Sequence, residues 1–361
     1  MSALLFIAIL FVLVFVHECG HFLVAKYFGI RVDEFGLGFP PRVARLWKRG
    51  DTEYTLNWIP FGGFVKIFGE NPGDDITGDE KRSFIKKPKL IQAAVLVAGV
   101  VFNLLFAWML LSFGFMVGMP ASGSASTSAF VAPPRLTITN VTPESPASYA
   151  GFKSGDIIIG VGDEDTIISK DLDPRMVTEF ILAHPEEAIT ISYERKGEDY
   201  DQKVTPHVTE GVARIGIAMD TIGTIRLPIH KAIYQGLLST YGLTKDTIIS
   251  FGHLIGGIFG GPSSGIAVSG PIGIAGMTRD AYQFGFMYLL FFMSILSINL
   301  AVINLIPFPA LDGGRLLFLL IEKIRGKSIN HKIVNLLNAV GFGLLILLMV
   351  VITYKDIARL F

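Results

Sequence analysis

No charged residue occurs between Leu90 and Met119, or between Ala281 and Leu311. Shorter charge-free runs cover Ser2–Val16 and Ile333–Thr353. A helix rises 1.5 Å per residue, so about 20 residues cross a hydrocarbon core of about 30 Å. In lipid every backbone N–H and C=O must be satisfied within the protein, which restricts such runs to helices. The first run is interrupted by His17-Glu-Cys-Gly-His21 and resumes over Phe22–Ala25, long enough in total to cross. Charged residues make up 17% of the chain, against a usual share of about 25%, and the mean hydropathy is +0.52. The predicted fold class is a polytopic α-helical membrane protein with four transmembrane helices, its first partner being the lipid bilayer. The formal net charge is zero, so no nucleic-acid footprint is visible. No Lys or Arg precedes the first apolar run and no A-x-A-like site follows it, so the segment reads as a retained span rather than a signal peptide.

Between the spans the composition changes twice. Residues 1–28 form the first span and 29–89 a basic loop. Within that loop, residues 53–68 have the β-branched and aromatic content of a β-hairpin, with Gly62-Gly63 as the expected turn. Such a hairpin dips into the membrane only if it packs on protein or lines a cavity. The second span, 90–119, is followed by a Ser/Ala/Pro-rich linker, 120–134, and by an α+β domain of short strands over 135–220. Residues 221–280 read as amphipathic and interfacial: apolar residues recur near helical spacing over 231–259, and 256–276 carries too much Gly, Pro and Ser for a span. The third span, 281–311, a basic loop, 312–332, the fourth span, 333–354, and a tail, 355–361, complete the chain. In the α+β domain, Val141-Thr-Pro-Glu-Ser-Pro-Ala-Ser-Tyr-Ala-Gly-Phe-Lys-Ser-Gly-Asp-Ile-Ile-Ile-Gly-Val-Gly162 resembles the PDZ signature of bacterial proteases. Such domains take an extended peptide onto a sheet edge.

The loops after spans one and three are basic, so the positive-inside rule makes them cytoplasmic. The PDZ-like domain and both termini are then expected to be extracytoplasmic. His17–His21 and 304–314 fall toward the cytoplasmic ends of their spans.

His17 and His21, four residues apart, share one helix face, with Glu18 beside them. That is the pattern in which two histidines hold Zn²⁺ and the glutamate is a general base. Ionisable side chains inside a membrane span are costly and mark function. A catalytic zinc usually takes three protein ligands, so a third must come from elsewhere. Asp312, in Pro-Phe-Pro-Ala-Leu-Asp-Gly-Gly, is the best candidate; the two prolines break the helix and free backbone suited to lining a cavity. Asn304, about two turns earlier, is placed either to hydrogen-bond a substrate backbone or to hold helices together. Cys19 turns away from the histidine face and reads as a small buried thiol, and His253 as interfacial.

Together, HECGH in the first span, the FGGFVKI hairpin, a PDZ-like domain between spans two and three, and NLIPFPALDGG resemble the site-2 protease family of intramembrane zinc metalloproteases, in particular its RseP and RasP type. The resemblance implies His17, His21 and Asp312 as ligands of one Zn²⁺ per chain and Glu18 as the catalytic acid/base. It implies Asn304, Gly62, Gly63 and Phe64 as substrate-handling residues. Implied partners are single-span membrane proteins already trimmed outside, such as anti-sigma factors and remnant signal peptides, at a bacterial inner membrane. Some members carry two tandem PDZ domains, and this chain has room for one. Two other classes fit less well. A membrane adaptor with a structural metal would not need Glu18, and a metal transporter would show further intramembrane charges or repeats.

Overall fold

A computed structural model describes residues 2–70, 77–122, 130–163, 167–169, 172–195, 197–209, 211–258 and 269–358. Outside the described residues lie residue 1, 71–76 of the basic loop, 123–129 of the linker, 164–166, 170–171, 196 and 210 of the α+β domain, 259–268 of the Gly/Pro/Ser-rich stretch and 359–361 of the tail. The chain divides into two compact units, Met1–Phe113 with Ile233–Phe361, and Gly114–Ala232.

The first unit is built on helices. Four of those described are long and apolar enough to cross a membrane: α1 (Ser2–Tyr27), α2 (Lys89–Val117), a helix over Phe286–Leu305 and one over His331–Ala358. α1 has almost no preferred apolar side, as expected of a helix with lipid or protein all round. Two strands follow it, β1 (Val32–Arg49) and β2 (Thr52–Ile67), turning at Gly50, whose φ is +61°. Gly62-Gly63 therefore lies inside β2 and is not the turn. The hairpin is also more than two-armed. Glu34 and Leu37 pair with Lys66 and Gly63 on one side and with Glu53 and Leu56 on the other, while Arg42 to Arg49 pairs with Asn57 back to Thr52. Residues 63–67 thus form an outer arm whose second edge pairs with no strand among the described residues. Ala25, Ile30, Val32, Ile67, Val95 and Leu96 are buried together, locking this sheet onto α1 and α2.

The expected surface helix after the second unit is α5 (Ile229–Ile258), and it packs lengthwise on two apolar helices. Numbering the rest in chain order, α6 is Pro271–Phe284, α7 Phe286–Leu305, α8 Asp312–Arg325 and α9 His331–Ala358. Trp108 Nε1 donates to Ile233 O at 2.9 Å near one end of α5. Leu243 and Phe251 pack on Ala107, Ile298 and Val302 farther along. From residue 233 to residue 251 is about 27 Å of helix, so α5 follows α2 and α7 over that length. Thr240 and Thr244 return their hydroxyls to carbonyls one turn back, which satisfies them without water. The third span is shorter than expected: Gly285, at φ +112°, separates α6 from α7, and the expected loop at 312 is the helix α8.

The second unit is a mixed α/β body. Its strands are β3 (Met119–Ser122), β4 (Phe130–Val141), β5 (Ile157–Gly162), β6 (Ile167–Ile168), β7 (Ile189–Arg195), β8 (Glu198–Val204), β9 (His207–Thr209), β10 (Val212–Arg214) and β11 (Ile217–Ile225), with helices α3 (Pro146–Tyr149) and α4 (Pro174–Ala183). The main sheet runs β3-β11-β4-β5-β7-β8, so it takes in strands on both sides of the expected 135–220 limits. Ile138, Val161, Val177, Ile189 and Ile191 are fully buried at its centre. The 141–162 signature is explained position by position. Ser145 caps α3 by accepting from Ser148 N, and Gly151 and Gly155 turn with φ of +85° and +96°. Asp156, 1% exposed, accepts from Lys153 N and from Arg195 Nε and Nη2 at 2.6 Å each. That hydrogen-bonded carboxylate holds the Arg195 guanidinium above its usual pKa.

Only the Asp156 end of this pair is buried, so its loss costs the charged hydrogen bonds that it accepts. Asp156→Ala should therefore destabilise this unit by about 2 kcal/mol. Protease digestion of the full chain during heating should show earlier cleavage between residues 114 and 232, and unchanged digestion would refute the assignment.

Candidate metal centre

α1 presents His17 and His21 one above the other, 6% and 8% exposed. Their rings meet edge to face with centroids 4.8 Å apart, and their Nε2 atoms are 3.1 Å apart. Asp312 Oδ2 completes the triangle at 2.9 Å from His17 Nε2 and 3.3 Å from His21 Nε2. These three side chains are 291 residues apart at their widest gap in sequence, between His21 and Asp312, yet their donor atoms converge on one point.

The sequence around Asp312 is what carries it there. α7 stops at Leu305, and Pro307 and Pro309 have no N–H with which to continue it. Tight turns follow, with Phe308 N donating to Ile306 O at 2.7 Å and Leu311 N to Phe308 O at 3.2 Å. Ala310 takes a positive φ of 75°, and its N–H is held by Asn338 Oδ1 of α9 at 3.1 Å. The first turn of α8 then folds back so closely that Cβ atoms on Gly313 and Gly314 would collide with the Leu305, Ile306 and Phe308 carbonyls. Asp312 is the first residue of α8, where the helix dipole favours a carboxylate.

The donor set fits a tetrahedral cation of zinc's kind. Ligand atoms 2.0–2.2 Å from such an ion lie roughly 3.3 Å apart, close to the spacings seen between the three donors. His21 Nδ1–H donates to Val95 O at 2.8 Å, which leaves Nε2 as a bare lone pair aimed at the same point. α2 also leaves room there. A methyl on Gly99 would stand 2.5 Å from His17 Cε1 and 2.6 Å from each Nε2.

A cavity of about 540 Å³ opens on this triangle. Its wall includes Glu18, Asn304, Gly63 and Phe64, four of the residues singled out from sequence. Gly62 is not on the wall. It lies behind, at φ +82°, where a Cβ would press on Val14 at 2.7 Å. Gly63 has its own reason to lack a side chain, since a Cβ would sit 2.7 Å from Gly36 O across the sheet. Cys19 and His253 are also off the wall.

Sequence reasoning missed several members. Gly99 and Asn103 were not singled out for the site, although a glycine and an amide at i and i+4 in a charge-free run were a signal. Lys66, Glu70 and Arg315 also line the cavity, and Arg315 pairs with Glu70. That pair joins the end of the sheet to α8, a meeting that residue spacing does not disclose.

Alanine is about 1 kcal/mol better than glycine inside a helix. Gly99→Ala should nonetheless weaken Zn²⁺ binding by about tenfold or more, as disturbed ligand surroundings do. Competition with a chromogenic chelator measures this, and wild-type affinity in the variant would count against the site.

The model of peptidase family M50 matches residues 5–348. A Nostoc sp. protein that carries a zinc metalloprotease name is 36% identical over 100% of this chain and 97% of its own. The zinc metalloprotease RasP of Geobacillus kaustophilus is 30% identical over 100% of this chain and 98% of its own. The chloroplastic membrane metalloprotease ARASP of Arabidopsis thaliana is 31% identical over 98% of this chain and 78% of its own.

Proposed function

The chain belongs to peptidase family M50 and is a zinc metalloprotease, and we propose that it hydrolyses peptide bonds within the membrane-spanning segments of single-span proteins. The observation that carries this reading is the meeting of His17, His21, Asp312 and Glu18 at one cavity lined by two of the apolar helices, α1 and α7, together with the sheet and the start of α8. A soluble substrate would have no cause to be met there.

One Zn²⁺ per chain, held by His17, His21 and Asp312, would supply Lewis acidity toward the scissile carbonyl and the attacking water. Glu18 is the proton carrier. It faces the same cavity, so it can take the water's proton and return it to the leaving amine. Asn304, half-buried on the wall and eight residues before Asp312, hydrogen-bonds the substrate backbone near the scissile bond. A helical substrate hides its amides in its own hydrogen bonds and must be unwound first. The outer arm of the sheet, residues 63–67, offers an unpaired edge at the cavity wall to receive the unwound segment as an added strand.

The PDZ-like unit screens substrates, passing those already trimmed on the outer side. Anti-sigma factors and remnant signal peptides are the substrate classes in view. The protein is placed in a bacterial inner membrane with four crossings. Both termini and the PDZ-like unit are outside and the metal site lies toward the cytoplasm, on the strength of the basic loops.

Glu18→Gln should keep Zn²⁺ and lower cleavage of a model single-span substrate in detergent by about 10²–10⁴-fold, the worth of a general base. Full activity in that variant would sink the mechanism. Asn304→Ala should raise KM with Zn²⁺ affinity unchanged, as expected of a group that binds substrate rather than metal. Steady-state cleavage paired with a zinc titration separates the two.

A further inference from the structure

Asn103 is completely buried on α2, and its side chain has a single partner among the described residues, His17 Nδ1 at 3.3 Å. Its Oδ1 has none. An unsatisfied buried amide oxygen costs about 1–3 kcal/mol, so a side chain of this kind persists in an apolar helix only for what it does to its neighbour.

The stripe on which it sits explains what that is. Val95, Gly99 and Asn103 are spaced at i, i+4 and i+8, along one face of α2. The carbonyl of Val95 accepts the Nδ1 proton of His21, Gly99 leaves space at both Nε2 atoms, and Asn103 stands at Nδ1 of His17. His21 thus has its tautomer fixed by α2, and His17 has an amide in the equivalent place. The two ends of an amide exchange by a half-turn of the terminal torsion. With Oδ1 toward the ring the amide still makes one hydrogen bond, Nδ2 taking the position without a partner; what changes is that His17 carries its proton on Nδ1 and its Nε2 becomes a lone pair like that of His21. Ser297 Oγ donates to Asn103 O at 2.8 Å, which ties this level of α2 to α7 through the backbone, independently of the amide.

We propose that Asn103 is a positioning residue for His17: its amide oxygen accepts Nδ1–H, fixes the ring and its tautomer, and so sets the affinity of the site for Zn²⁺. This rests on the reading of His17 as a zinc ligand.

The test uses the full chain in detergent, stripped of metal and titrated with Zn²⁺ against a chromogenic chelator, with Co²⁺ absorption reporting ligand geometry. Asn103→Ala should lose about 10–100-fold in Zn²⁺ affinity and alter the Co²⁺ spectrum. Asn103→Asp, whose carboxylate can accept the same proton, should stay within about threefold of wild type. Wild-type affinity in Asn103→Ala would overturn the proposal. So would Asn103→Asp falling as far as Asn103→Ala, since the amide would then serve packing alone. Failure of the wild-type chain to bind Zn²⁺ would instead remove the metal reading on which the proposal stands.

Discussion

Two imidazoles and a carboxylate meeting inside an apolar helical bundle are the constraint around which the first unit is arranged. Each group is expensive in such surroundings unless it is partnered or holds a metal. The chain meets the cost with geometry drawn from four separate stretches. α1 supplies the histidines at helical spacing, α2 supplies Val95 O and the gap at Gly99, the proline-broken end of α7 supplies the turn, and α8 supplies Asp312. Remove any one of these and the remaining polar groups are left buried without a counterpart.

Glycine does much of this positioning, for reasons of space more than of backbone freedom. Gly99 and Gly63 have ordinary negative φ, yet a Cβ on either would strike the histidine rings or the Gly36 carbonyl. Gly313 and Gly314 let α8 turn back onto α7. Only Gly62, of those near the site, combines tight packing with a positive φ of 82°. The pattern distinguishes a site built by close approach of backbones from one built by flexible loops, and it suits side chains that must hold fixed distances to one another.

The helix that carries His17 and His21 was legible because charge-free runs and a His-Glu-x-x-His pattern are local signals. Asp312 was legible because the prolines and glycines around it have local consequences. The sheet was read only in part: its strand content was visible, but the Gly62-Gly63 pair imitates a turn, and nothing local reveals that β1 pairs on both sides of Glu34–Leu37. What α5 packs against was not legible: Thr240 and Thr244 satisfy themselves on carbonyls a turn earlier, so part of this amphipathic helix can lie along α2 and α7. Asn103 escaped too, since an amide in a span reads as helix glue until its neighbour is known.

The sheet's outer arm raises a last physical point. An unpaired strand edge in an aqueous protein invites aggregation and is usually covered or charged. Here residues 63–67 have no strand on their second edge, where Glu18 accepts a hydrogen bond from the Val65 backbone, and their exposed neighbours on the sheet, Trp47, Leu56, Trp58 and Ile59, are apolar. In apolar surroundings without water such an edge would be worse still. Such an edge is tolerable only where something else supplies the missing hydrogen bonds. A substrate segment that has lost its own helical bonds has complementary donors and acceptors to offer. In the proposed reading the two deficits cancel where they meet, at the cavity that His17, Glu18, His21 and Asp312 share.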